Sequence, residues 1–341
     1  MIWHGEHIGP ELERLTQTCQ KPIAWVSTQR VWALYGESLL KHAPGSVFFL
    51  ADGEEAKSLT AAEALWKSWA KAGLHRGHLV IAFGGGALLD AAGFCASTYM
   101  RGLEFWYIPS SLLAMVDAAV GGKTGLNLGT LKNYIGTFHS AQHVLICPVF
   151  LKSLGSEELL SGWGEILKHA LIQGEPLWSQ TARWPASEAE WSSLLAQNSS
   201  LKQQIVDSDF RESGKRKVLN AGHSVGHGLE SLYRELGQSL PHGVAVAHGL
   251  AIETLVAYRM NVISREQGQA ITTRIDQFFS RLSWDHSHTL RLFSLLNQDK
   301  KNDSQGWQFS LARQIGDVGY NDLVSPNTLS WALTQYLNLP G

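Results

Sequence analysis

The sequence predicts an α/β fold, an open and largely parallel sheet followed by an all-helical domain. Three observations carry that prediction. Short apolar runs alternate with helical segments through the first part of the chain, the rhythm of strand–helix–strand crossovers. A Gly-Gly-Gly turn, Gly84, Gly85 and Gly86, follows one of those runs at once and opens a helix. After about Leu151 the segments become long and helical, as in a helix bundle. The boundary is therefore set there, giving domains 1–151 and 152–341.

In order, 22–27 reads as a short buried strand, with Thr28, Gln29 and Arg30 as a polar loop after it. A second strand is expected at 47–51. The helix after it is expected to start with a capping box, Thr60 as cap and Glu63 reaching back. A third strand, 79–83, runs into the glycine turn and a helix at 87–98, and a fourth is expected at 105–109. Helices are then expected at 156–173, about 187–208 with Ser187 and Glu190 as a capping box, about 223–236 and about 243–263. The tail holds a strand-like piece at 307–312 and a turn at Ile315, Gly316 and Asp317.

Composition excludes several classes. With 44% hydrophobic and 17% charged residues the chain can bury real cores and is no disordered segment. A net charge of -2 gives no sign of nucleic-acid binding. Three widely spaced cysteines, Cys19, Cys95 and Cys147, fit neither a disulfide framework nor a zinc knuckle, which favours a reducing compartment. No signal peptide or membrane-length apolar run is seen, so a cytoplasmic protein with no membrane partner is expected.

The chemistry concentrates in a few stretches. His223 and His227 are four residues apart and share a face if helical; His242 follows after a glycine-bearing gap. Imidazoles are common ligands of divalent transition metals, and catalytic zinc usually keeps three protein ligands and an open position. Glu165 is the best upstream carboxylate to join them. Histidine pairs also arise by chance among 14 histidines, but the flanking Gly222, Gly226 and Gly228 cost helix stability and point to close approach. The 84–86 turn can bring backbone N–H groups and a helix N-terminus to a phosphate, with Asp90 facing the same ligand; its bland reading is a tight turn. A second glycine-rich loop carries Asp117 and Lys123, with Lys132 and Asn133 soon after. Arg101, Lys123, Lys132, Lys168, Lys202, Arg216, Lys300 and Lys301 recur beside these motifs. Singly each is a solvated charge; together they suggest an anion site.

Taken together these stretches resemble the 3-dehydroquinate synthase family. The resemblance runs from about Trp25 to Gly316 and includes GGG at 84–86, YMRG at 99–102, IPSSLLA at 108–114, VGGKTGLN at 120–127, GEILK at 164–168, NAGHSVGH at 220–227, His242 with Gly243, and DKK at 299–301. It implies a Rossmann-like N-terminal domain binding NAD, a helical C-terminal domain holding a divalent metal, zinc before cobalt, and an active site between them. By motif match Glu165, His223 and His242 are the implied metal ligands, and His227 a catalytic or substrate-contacting histidine. Asp117, Lys123, Asn133, Lys168, Lys202, Arg216 and Asn220 are the implied substrate pocket. Arg101 is implied to reach the substrate phosphate across a homodimer. Asp52, Glu54, Lys57, the three glycines, Asp90, Ser110, Ser111, Asp117, Lys123 and Lys132 match NAD-contacting positions. The implied reaction turns a seven-carbon keto-acid sugar phosphate into 3-dehydroquinate and phosphate by transient oxidation, elimination, reduction and aldol closure. The chain departs from the pattern at Val244, where the family has Glu, at Phe210, where an acidic residue is common, and at Gly164 and Gly228, which replace Ala. A related cyclase with another sugar phosphate, a weakened homologue kept as a binding partner, and a polyol dehydrogenase are the alternatives. Net NADH would mark the last.

Overall fold

The computed structural model describes residues 1–129, 131–296 and 307–338. Lys300 and Lys301 therefore lie outside the described residues. The chain forms two compact units. One is Met1–Leu154 with Pro185–Gln203; the other is Gly155–Trp184 with Gln204–Gly341.

The first unit is built on strands β1 (Ile2–His4), β2 (Ile23–Thr28), β3 (Ser46–Leu50), β4 (Leu79–Gly84), β5 (Glu104–Pro109) and, after a separate antiparallel hairpin of β6 (Lys123–Leu128) and β7 (Leu131–Phe138), β8 (His143–Ile146). The six sheet strands lie in the order β1-β8-β5-β4-β2-β3, all parallel. Helices α1 (Ile8–Cys19), α2 (Gln29–His42), α3 (Leu59–Lys71) and α4 (Gly86–Thr98) connect them. β2 and β4 are buried along their whole length, as central parallel strands must be when both faces are covered. The one hydroxyl this buries in mid-strand, Ser27 Oγ, donates to Phe83 O at 2.8 Å. The chain places β3 on one side of β2 and β4 on the other. Such a reversal opens a crevice at the carboxyl ends of the strands, and the 84–86 turn stands at the end of β4.

Three local expectations are corrected. Residues 28–30 are no loop: Thr28 caps α2 directly, its side chain accepting from Val31 N at 3.3 Å. α3 is capped by Ser58, which accepts from Ala61 N at 3.1 Å, so Thr60 is already helical and Glu63 pairs with Lys67 at 2.7 Å. Further on, Ser187 does accept from Glu190 N at 3.2 Å, but Glu190 reaches back to Ala186 N at 2.9 Å, one residue beyond the expected partner.

The second unit is helix-rich. It contains α5 (Ser156–Gln173), α6 (Leu177–Gln180), the end of α7 (Glu188–Ser208), α8 (His223–Glu235), α9 (His242–Arg259), α10 (Arg265–Asp276), α11 (His286–Leu296) and α12 (Pro326–Asn338). The expected long helices are found, with α9 stopping four residues early. The tail adds β9 (Trp307–Phe309) paired with β12 (Asp322–Val324), and β10 (Ala312–Gln314) with β11 (Asp317–Val318) around the expected turn. α9 is the central helix, and glycines let its neighbours touch its backbone. A Cβ on Gly164 of α5 would lie 1.9 Å from Gly243 O, and one on Gly243 would lie 1.6 Å from Ser161 O. At the α8 side, a Cβ on Gly249 would lie 1.9 Å from Gly222 O. Among the described residues no helix is long and apolar enough to cross a membrane.

Candidate active site

The α5–α9 backbone contact sets the chemistry of the second unit, because Glu165 follows Gly164 and His242 precedes Gly243. His223 opens α8 and His242 opens α9, so both imidazoles stand at helix starts beside the α5 carboxylate. Glu165 Oε1 lies 3.5 Å from His223 Nε2 and 3.2 Å from His242 Nε2. The two rings are 5.2 Å apart, and one ligand atom from each of the three residues falls within 4.8 Å of the others. Glu165 is fully buried, yet neither oxygen has a well-directed hydrogen bond, although the Lys168 ammonium is in ion-pair contact with Oε2. Lys168 compensates this buried carboxylate on its Oε2 side, while Oε1 is left facing the two imidazoles. The N,N,O donor set suits zinc, cobalt or iron.

The electrostatics agree with that fit. Burial alone would raise the Glu165 carboxyl, but Lys168, His223 and His242 outweigh it and hold it well below the usual carboxylate range. Burial, reinforced by Lys168, depresses the His223 imidazole well below its ordinary value, which keeps it in the neutral form that ligates metals. Burial also opposes protonation of His242, but the Glu165 and Glu230 carboxylates beside its ring prevail and lift it to about 10. Two carboxylates thus draw positive charge to this imidazole. His227, one turn after His223, is exposed, with ring centroids 5.3 Å from His223 and 5.9 Å from His242.

Two carboxylates that sequence reasoning missed hold this cluster. Glu230 Oε2 lies 3.2 Å from His242 Nδ1. Glu253, three turns into α9, accepts from Gly222 N at 2.6 Å and Val225 N at 3.1 Å. It caps a helix whose own N-cap is a glycine at φ 76°. The only sequence signal was position: Glu230 is seven residues after His223, on the same helical stripe.

In the first unit the 84–86 turn leaves the N-terminus of α4 without a side-chain cap. The nearest atom to a Cβ on Gly85 would be Ser111 Oγ at 3.6 Å, and on Gly86 Ala118 Cβ at 3.1 Å. Open N–H groups at such a terminus suit a diphosphate. Ser110 N donates to Gly84 O at 2.9 Å, which fixes the end of β5 beside the turn. Lys57, buried, donates to Asp90 Oδ2 at 2.6 Å and contacts Asn133 Oδ1. Asn133 N donates to Asn127 Oδ1 at 2.9 Å, and Asn127 donates to Glu54 at 2.7 Å. One polar network therefore ties Glu54, Lys57, Asp90 and Asn133. Burial raises the Asp90 carboxyl, with Lys57 working against it. Asp117 sits in a π-helical turn, 114–118, where Lys202 donates to its backbone O at 2.6 Å and its Oδ1 at 2.7 Å.

Asp52, Lys123 and Lys132 are exposed, Asp52 lying 3.6 Å from Arg30. Arg101 is exposed too, at φ 68°, between Met100 at φ 50° and Gly102 at φ 116°. In the second unit Arg216 is buried and donates to Phe210 O at 2.7 Å, while Asn220 donates to Glu212 at 2.7 Å. The sequence also missed Glu212, which lies in the loop between α7 and α8.

The family model described as 3-dehydroquinate synthase N-terminal matches residues 47–161, and the C-terminal one matches 162–302. The curated 3-dehydroquinate synthase of Parabacteroides distasonis is 32% identical over 293 residues, 85% of this chain and 83% of the relative. That of Streptococcus gordonii is 35% identical over 325 residues, 93% and 90%. Among solved structures, a 2-epi-5-epi-valiolone synthase from Streptomyces hygroscopicus with NAD+ and Zn2+ bound superposes with a TM-score of 0.85 at 24% identity, covering 98% of this chain and 96% of that one. A 2-deoxy-scyllo-inosose synthase complexed with carbaglucose-6-phosphate, NAD+ and Co2+ gives 0.83 at 22%, covering 96% and 94%. At those identities the two structures share a fold with this chain.

Proposed function

The chain belongs to the 3-dehydroquinate synthase family, and on that premise we propose that it converts 3-deoxy-D-arabino-heptulosonate 7-phosphate to 3-dehydroquinate and phosphate. It would act as a cytoplasmic homodimer with NAD and zinc, cobalt being the substitute metal. The observation that carries the reading is the buried Glu165 carboxylate facing two imidazole Nε2 atoms with no well-directed hydrogen bond of its own.

In this reading Glu165, His223 and His242 hold the metal. When bound, the metal would supply a Lewis acid for a ring hydroxyl and NAD a hydride carrier used and restored within one turnover, so net redox would be zero. The chain itself binds, orients and moves protons. The 84–86 turn receives the diphosphate of NAD, with Asp52, Glu54, Lys57, Asp90, Ser110, Ser111, Asp117, Lys123 and Lys132 around the cofactor. His227, exposed beside the metal ligands, handles the proton lost from the carbon next to the transient ketone, as the C–O bond to phosphate breaks. Lys123, Asn133, Lys168, Lys202, Arg216 and Asn220 bind the substrate's carboxylate and hydroxyls. Lys202 is held in place for this by Asp117. Arg101 contacts the phosphate of the substrate bound by the partner subunit. Its support is the run of left-handed backbone at 100–102, since such strain collects at functional sites.

The test is phosphate release from that substrate with NAD and zinc, wild type against His223→Ala. Release that requires NAD, zinc and His223 and leaves no net NADH supports the reading. Protein that binds both cofactors and releases no phosphate would refute it, and accumulating NADH would indicate a dehydrogenase.

A further inference from the structure

We propose that Glu230 is the positioning residue of the metal centre: its carboxylate holds His242 by Nδ1 and so turns Nε2 toward Glu165 and His223. This rests on the metal-site reading above. It concerns this chain's own solution to a general need, since a ligating imidazole requires a partner on its other nitrogen to fix tautomer and ring orientation.

The two ligand histidines are oriented differently. His223 has its partner beside it in sequence, with Nδ1 3.2 Å from Ala221 O. His242 opens α9 after Pro241, with no side-chain cap at that end, and its own helix offers no such partner. Val244 is two residues on, about 200° around the helix at 3.6 residues per turn, so no side chain there would share the His242 face. The carboxylate of Glu253 is committed to Gly222 N and Val225 N. The partner therefore comes from α8, where His223, His227 and Glu230 form one stripe at i, i+4 and i+7. Glu230 is 7% exposed, and its Oε2 stands 3.2 Å from His242 Nδ1. With Nδ1–H given to Glu230, the Nε2 lone pair points to the side where Glu165 Oε1 lies 3.2 Å away. A carboxylate, unlike the carbonyl behind His223, also raises the basicity of the ligand it holds.

One further arrangement of the same atoms must be separated from this. His227, Glu230 and His242 also bring one ligand atom each within 4.8 Å, so Glu230 could itself be a ligand of a second ion. Full-length wild type, Glu230→Gln and Glu230→Ala are compared for zinc affinity by chelator competition, zinc stoichiometry, the visible spectrum of the Co2+ form, and melting of the metal-free protein. The expected result is one ion per chain throughout. Affinity should fall by about 10–100-fold in Glu230→Ala, with a smaller loss in Glu230→Gln, which keeps an acceptor for Nδ1–H. The cobalt spectrum should change in both while metal-free melting of Glu230→Gln stays at the wild-type value. Unchanged affinity and spectrum in both variants would overturn the proposal. So would two ions in wild type and one in Glu230→Ala, which would make Glu230 a ligand. Wild type that binds no metal would overturn the functional reading itself.

Discussion

Replacing Gly164 with alanine probes the helix crossing that brings Glu165 to His242. Two effects oppose each other. Alanine is the better helix former by about 1 kcal/mol. Against that, the new Cβ would lie 1.9 Å from Gly243 O, roughly 1.5 Å inside ordinary contact, and a carbonyl of α9 cannot rotate away as a side chain can. Overpacking of this kind costs about 1–3 kcal/mol; because backbone meets backbone, the upper end applies. The net loss is therefore about 2 kcal/mol, or roughly 4–8 °C in Tm for a unit of this size. The metal site should suffer more than the fold. Metal–ligand distances tolerate only about 0.2 Å, and Gly164 and Gly243 adjoin two of the proposed ligands, Glu165 and His242. Gly164→Ala is expected to weaken zinc binding more than tenfold, read by chelator competition beside calorimetric melting with and without zinc. Gly228→Ala is the control: its Cβ would meet the end of a side chain, Leu292 Cδ1, at 2.7 Å, so it should cost under about 1 kcal/mol and leave zinc affinity alone. Wild-type melting and wild-type zinc affinity in Gly164→Ala would refute the argument.

Three other outcomes are expected. His248 is buried against Tyr336, with Nδ1 2.8 Å from its hydroxyl, and burial, aided by Arg281, lowers it to about 4. The unfolded chain then binds this proton more readily, so its contribution is whole above about pH 6.5 and is lost toward pH 4, at up to about 1.4 kcal/mol per unit; the difference in stability between wild type and His248→Gln should shrink over that window. Lys57→Met leaves Asp90 without its cation; with Asp90 still 23% exposed, the loss is about 1–2 kcal/mol rather than the 3–5 of a fully buried pair, and NAD titration should show about tenfold weaker binding, which an unchanged Kd would contradict. Arg101→Ala and His223→Ala chains, each inactive alone, should recover part of the activity when mixed into shared dimers; no recovery would mean that Arg101 serves its own subunit.

What could be read from the sequence follows from where each signal is local. The helices carrying Glu165, His223 and His242 were legible to within a few residues because glycine, proline and apolar spacing mark their ends. α2 was missed because Thr28 ends a strand and caps a helix at once, leaving no loop to find. The β6–β7 hairpin passed as a glycine-rich loop because β7 is largely exposed and shows no apolar alternation, while Gly125 and Gly136 face each other in register. Glu230 and Glu253 were invisible for another reason: a lone carboxylate on a helix looks like a solvated surface residue until the helix it caps or the histidine it holds is packed against it.

The crossing of α8 and α9 also limits the routes by which this protein can change. Any single-base change in a glycine codon that keeps the chain intact but alters the residue adds a side chain. At Gly249 that side chain would meet Gly222 O at 1.9 Å, an atom of the main chain that no replacement at 222 can remove. Ordinary covariation, in which a larger residue at one position is relieved by a smaller one opposite, is thus closed to this pair. Descendants can vary here only by first moving a helix that carries a proposed metal ligand, so both positions should remain glycine across lineages that otherwise diverge freely.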